Sequence, residues 1–145
     1  MYILFLLFNF LYYLHGYYAH YPREFSGEWQ YGYKESIEYV KRVQNQYEEV
    51  HVTTKLGRPY IYYAFYMQVD PEIFRDTISV RRDPFGFLTV DKFYKYRFSD
   101  NLGNIKTKAK RILYIDAPNR VPSKAQVIET FSLLNGETDL VAYIR

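Results

Sequence analysis

Lys55 and Arg58 bracket a single glycine in Thr53-Thr54-Lys55-Leu56-Gly57-Arg58-Pro59-Tyr60, and no other stretch of the chain is as suggestive chemically. The segment reads as the end of a strand passing into a helix that starts at Pro59, where α/β folds tend to hold ligands. Backbone N–H groups at a helix N-terminus favour anions, and two nearby cations add to that attraction. A phosphate, from a lipid-linked substrate or a lipid headgroup, suits this chemistry. An ordinary βα loop with solvated cations accounts for the same residues. Trp29, Tyr31 and Tyr33 form an aromatic cluster that could stack on a sugar, sit at a membrane surface, or pack a helix start against a sheet. Asp116 closes a short apolar run before Ala117-Pro118, a place equally suited to a site or to capping that turn. Lys55, Arg58, Tyr60, Trp29, Tyr33 and Asp116 are therefore the candidate substrate-binding residues.

Other chemistry is sparse. Gly27-Glu28-Trp29-Gln30-Tyr31-Gly32-Tyr33-Lys34 echoes a phosphate-binding P-loop, but Tyr33 separates glycine from lysine and no strand clearly precedes it. The histidines are His15, His20 and His51, with no helical pair at ligand spacing and no carboxylate triplet beside them. No Gly-x-Ser-x-Gly elbow exists to present a serine to His51. Cysteine is absent, which excludes a thiolate nucleophile, a disulfide framework and cysteine metal ligands. The Asp and Glu residues look like helix faces and turns rather than the paired carboxylates of glycoside chemistry. No catalytic residue, metal or cofactor is expected. A formal charge of +3, with cations interleaved with acids, speaks against a nucleic-acid partner.

The elements that must position these residues follow from periodicity. Tyr33, Ile37, Val40 and Tyr47 recur at helical spacing, with Lys34, Glu38 and Arg42 at i,i+4 on the other face, so a helix is expected from about Trp29 to Gln46. Glu49 to Thr54 alternates as a strand, with Val50 and Val52 facing one way and His51 and Thr53 the other. Pro59 starts a helix through Gln68, and Asp70-Pro71-Glu72 starts a short one to about Thr77. Val90 to Phe98 reads as one strand exposed on one face, and Arg111 to Ile115 as a buried strand. Val127 to Leu133 and Leu140 to Ile144 flank Asn135-Gly136, a hairpin signal. The fold class expected is α/β: a mixed-sheet sandwich with a C-terminal β-hairpin, preceded by a transmembrane helix.

That helix is the expectation for residues 1–22. Met1 to Pro22 contains no Asp, Glu, Lys or Arg, and the first formal charge is Arg23. Tyr12, Tyr13, His15, Tyr17, Tyr18, His20 and Tyr21 would form an aromatic belt at the lipid interface. A cleaved signal peptide would want a basic start and a small-residue cut site, and neither is present; a buried core helix is the other alternative. An apolar run starting at Met1, with no orienting charge before it, reads as the end of the final span of a longer protein. Residues 23–145 would then be a soluble domain on the extracytoplasmic side of the cell membrane.

His20-Tyr21-Pro22, Trp29-Gln30-Tyr31-Gly32-Tyr33-Lys34-Glu35 and Thr53-Thr54-Lys55-Leu56-Gly57-Arg58-Pro59-Tyr60-Ile61-Tyr62 together resemble the C-terminal region of prokaryotic multi-span glycosyltransferases. These are similar to the dolichyl-phosphate-mannose-protein mannosyltransferase family and its aminoarabinose-transferase relatives, and the resemblance covers nearly the whole chain. It implies an integral membrane enzyme that moves a sugar from a polyprenyl-phosphate carrier to a protein or lipid acceptor. The family's catalytic acid lies in an early extracytoplasmic loop that has no counterpart here, so no catalytic residue carries over. The resemblance thus implies a fragment, inactive alone. The alternative is a single-span, membrane-anchored glycan- or anion-binding module without catalysis.

Overall fold

Strand β1 (Glu49–Thr53) sits at the centre of the sheet, and its period-2 alternation separates the two faces. Val50 and Val52 are fully buried among aromatic and aliphatic side chains under the helices, while His51 is buried on the opposite face beside Tyr114. The computed structural model describes residues 1–82 and 84–145. Seven strands form one mixed sheet in the order β2-β3-β4-β1-β5-β7-β6: Ser79–Arg82, Leu88–Phe93, Tyr96–Ser99, β1, Ile112–Asp116, Thr138–Ile144 and Gln126–Ser132. β1 runs parallel to β4 and β5, and every other pairing is antiparallel.

Helices α3 (Gly32–Val43), α4 (Pro59–Tyr66) and α5 (Pro71–Thr77) contribute to the apolar cluster on one face. Tyr33, Ile37 and Val40 of α3, Tyr63 of α4 and Phe74 of α5 meet Val50, Val52, Phe93, Phe98, Leu113 and Leu140 there. The opposite face is covered by irregular chain, with Leu102, Ile105, Val121 and Ala125 packed on Tyr114 and Tyr143. α3 starts three residues later than the periodicity suggests, because Gln30 takes a left-handed φ of 55° and ends the preceding turn. Its C-terminal end is closed by Lys95, whose ammonium donates to the carbonyls of Gln44 and Tyr47. The α5 start signal works as read: the Asp70 carboxylate accepts from Glu72 N–H at 2.7 Å.

Two strand expectations change. Val90 to Phe98 is not one strand but the antiparallel pair β3 and β4, turned at Tyr94, which takes a φ of 48°. Aromatic and charged residues continue through the turn, so the pattern hid it. β2 was not anticipated; all four of its residues are exposed and present no alternation to read.

The transmembrane helix does not hold. No helix among the described residues is long and apolar enough to cross a membrane. α1 (Tyr2–His15) has 14 residues, about 21 Å at ~1.5 Å per residue, against a hydrocarbon core of ~30 Å. The α-helical ladder then gives way to a π-helical turn over Gly16–His20, followed by the four-residue α2 (Tyr21–Glu24). Counting uncharged residues overestimated the span, because the later ones are tyrosine, histidine and glycine rather than aliphatic. None of the residues of α1 is buried.

Candidate functional site

The C-terminal ends of the parallel strands β1, β4 and β5 lie side by side and bring Thr53, Ser99 and Asp116 to one edge of the sheet. The start of antiparallel β7 reaches the same edge. The loop after β1 is held tightly there. Thr54 N–H donates to the Ser99 carbonyl at 3.1 Å, Lys55 N–H to Thr53 Oγ1 at 3.3 Å, and Gly57 N–H to the Thr54 carbonyl at 3.1 Å. Ile61 N–H turns back to the Arg58 carbonyl, and Pro59 has no N–H to give. Much of the backbone donor set expected to greet an anion is therefore already used. An anion at this loop would depend on the Lys55 and Arg58 side chains, both exposed.

Residues 25–33 pack against this loop. Gly57, at φ +132°, is approached so closely by the Gln30 amide that a Cβ there would collide with it. A Cβ on Gly32 would likewise run into the Asp139 carboxylate. The Tyr33 hydroxyl donates to the Thr53 carbonyl at 3.3 Å, and its ring stacks on Tyr62 with centroids 5.4 Å apart. Three buried polar atoms near this edge, Gln30 Oε1, Asp139 Oδ2 and the Tyr63 hydroxyl, have no hydrogen-bond partner among the described residues. Burial raises the Asp139 carboxyl above its ordinary value, against the opposing hydrogen bond from Gly32 N–H. Tyr33 is raised too, first by burial and then by the charges of Asp139 and Asp116.

The candidate residues thus fall into two groups. Tyr33 is fully buried, and Tyr60 is half-buried against the core. Asp116 is buried, and its carboxylate accepts from the adjoining Ala117 N–H at 2.9 Å, with the Arg120 guanidinium 3.8 Å away. Trp29, Lys55 and Arg58 are exposed, and the Arg58 guanidinium lies over the Phe87 ring at 5.4 Å. What the structure adds is Asp139 and Gln30. Neither carries a local sequence signal: Asp139 sits inside a strand and Gln30 inside a turn, and only the close approach of two glycines exposes them.

A second polar cluster, also missed, lies on the opposite face of β1. Glu49 bridges His51 Nε2 at 2.8 Å and the Arg97 guanidinium at 2.6 Å. Burial alone would raise the Glu49 carboxyl, but hydrogen bonds from Arg97, His51 and Thr107 outweigh it and hold the group down to about 2. Burial depresses His51 below its ordinary value, so it is neutral and Nε2 is the donor to Glu49. An open cleft of about 540 Å³ beside it is lined by Glu48, Glu49, Arg97, Lys106, Thr107 and Lys108. The run Lys106 to Arg111 holds four cations and no acid, so cations are more clustered than a chain-wide count suggests. Glu48 meets the run in space, accepting from Lys110 N–H at 3.0 Å and lying 3.8 Å from Arg111.

No family model matches the sequence, and no curated protein or solved structure is significantly similar to it.

Proposed function

We propose that this chain is the substrate-holding domain of a membrane glycosyltransferase similar to the dolichyl-phosphate-mannose-protein mannosyltransferase family. Such an enzyme moves a sugar from a polyprenyl-phosphate carrier to a protein or lipid acceptor, and the chemistry belongs to other parts of it. The observation that supports this reading is a convergence. Two of the three segments that carry the resemblance, Trp29 to Glu35 and Thr53 to Tyr62, lie on each other: Gln30 against Gly57, Tyr33 bonded to Thr53 and stacked on Tyr62. Trp29, Lys55 and Arg58 stay exposed around that contact, an aromatic platform and two cations of the kind that recognise a sugar and a phosphate.

Helix α1 supports the membrane half of the proposal. It is exposed, uncharged and apolar around its circumference, whereas a protein groove asks for one apolar stripe. A lipid surface suits such apolar exposure, with the tyrosines from Tyr12 to Tyr21 at the headgroup level. On this reading the domain works on the extracytoplasmic side of the cell membrane, against the lipid bilayer.

Titration of the full chain in neutral-lipid nanodiscs with a polyprenyl phosphate tests this. Saturable binding is expected, weakened about tenfold or more by Lys55→Ala with Arg58→Ala, since one charged hydrogen bond is worth about 1.5–3 kcal/mol and ~1.4 kcal/mol is tenfold. Equal binding of the phosphate-free polyprenol, or no effect of the double substitution, would sink it.

A further inference from the structure

The π-helical turn puts two histidines together that an ordinary helix would hold apart. Residues five apart lie about 140° from each other around an α-helix. Over Gly16–His20 the ladder widens, and Tyr21 N–H bonds to the Gly16 carbonyl five residues back. His15 Nε2 and His20 Nε2 come to 3.3 Å, with ring centroids 5.0 Å apart and planes at 79°. Counting in α-helical steps therefore found no pair, because the pair exists only where the helix is not α. Single π-turns are rare and concentrate at functional sites.

We propose that His15 and His20 form a two-histidine site for a divalent transition-metal ion, with Zn²⁺ the ion that the geometry suits. Zinc binds imidazole nitrogen at ~2.0–2.1 Å, so an ion equidistant from two nitrogens 3.3 Å apart subtends about 107° between them, close to the tetrahedral angle of about 109°.

Glu24 stands near the pair, beyond hydrogen-bond distance. Its carboxylate lies 4.0 Å from His20 Nδ1, the ring nitrogen left over when Nε2 binds a metal. A carboxylate accepting from that N–H is the usual outer partner that fixes a ligating imidazole. An open cleft of about 810 Å³, lined by Asn9, Tyr12, His15, Tyr17, His20 and Glu24 among others, leaves room for water in the remaining positions. No group of three or more His, Cys, Asp or Glu side chains converges for a metal among the described residues, so the chain would supply two ligands and water the rest. The site rests on the N-terminal turn alone and is independent of the glycosyl-transfer proposal.

Zn²⁺ titration of the full chain in a neutral detergent, against a chromophoric chelator at neutral pH, is the test. One saturable equivalent is expected, with His15→Gln and His20→Gln each weakening it at least about tenfold, since a direct ligand counts for more than the outer partners whose loss costs 10–100-fold. Co²⁺ in place of Zn²⁺ should give the intense visible bands of a four-coordinate ion. No saturable binding by the native chain, binding indifferent to both substitutions, or a faint six-coordinate Co²⁺ spectrum would each overturn the site. Both histidines are exposed, so the variants are expected to fold.

Discussion

The two faces of β1 solve burial differently. Under the helices, Val50 and Val52 meet a dry aromatic layer in which Phe93 touches Phe74, Tyr96 and Phe98 at ring-centroid distances of 5.0–5.5 Å. Beneath the irregular chain, the same strand presents Glu49 and His51 to Arg97. The first face is held by contact area, which is indifferent to pH and depends on shape. The second is held by charge-assisted hydrogen bonds, which depend on protonation. One strand supports both because its side chains alternate. The difference teaches that the Glu49–His51–Arg97 cluster adds a pH-dependent contribution that the aromatic layer around Phe93 lacks.

The largest expected effect lies on the dry face. Phe93→Ala should cost about 3–5 kcal/mol, seen as a lower denaturant midpoint with little change in slope and the same loss at pH 5 and pH 8. A pH-dependent loss would break the distinction between the faces.

On the polar face, Glu49→Ala should cost about 1.5–3 kcal/mol near neutral pH, since it strips two charged hydrogen bonds. The Glu49 carboxyl sits at about 2 in the folded chain against an ordinary 4.5. Its contribution is therefore full above about 4.5 and is lost as pH falls towards 2. His51, depressed below its ordinary 6.5, acts in the same sense, because the unfolded chain takes up that proton first as pH drops below 6.5. Stability of the native protein should fall through this acid range, and more shallowly in Glu49→Ala. Parallel curves from urea melts at a series of pH values would remove Glu49 from the account.

Gly32→Ala sharpens the comparison at the sheet edge. The new Cβ would strike the Asp139 carboxylate, at a cost on the order of 1 kcal/mol or more. Asp139→Ala in the same chain should recover part of that loss, and a double-mutant cycle with no coupling would refute the contact. The smallest effect belongs to Lys55→Ala: the side chain is exposed, so thermal stability should move by no more than about 0.5 kcal/mol while carrier binding is weakened.

Much of the domain was legible in advance. The α3 stripe, the alternation of β1, the Asp70-Pro71 start of α5 and the hairpin around Asn135-Gly136 are local signals, and each appears where local rules place it. The site was legible in part. Lys55 and Arg58 fall on a loop between strand and helix as expected, yet the backbone donors beside them are already engaged by Thr53, Thr54 and Ser99. The N-terminal segment misled for a different reason. A count of uncharged residues registers neither helix length nor a change of ladder, and α1 stops at His15.

By itself, then, the sequence determined which residues are apolar, where chain direction must change, and which strand alternates. Those properties depend on neighbours a few residues away. Only the tertiary structure decided that Glu49 meets Arg97 across 48 positions, that Gly32 makes room for Asp139, and that the segments at Trp29 and Thr53 share one surface. Such contacts are set by strand order and by the close packing of elements remote in sequence, and no local spacing encodes either. The His15–His20 pair lies between the two cases. Its partners are five residues apart, but they meet only because one turn of helix is wider than the rest.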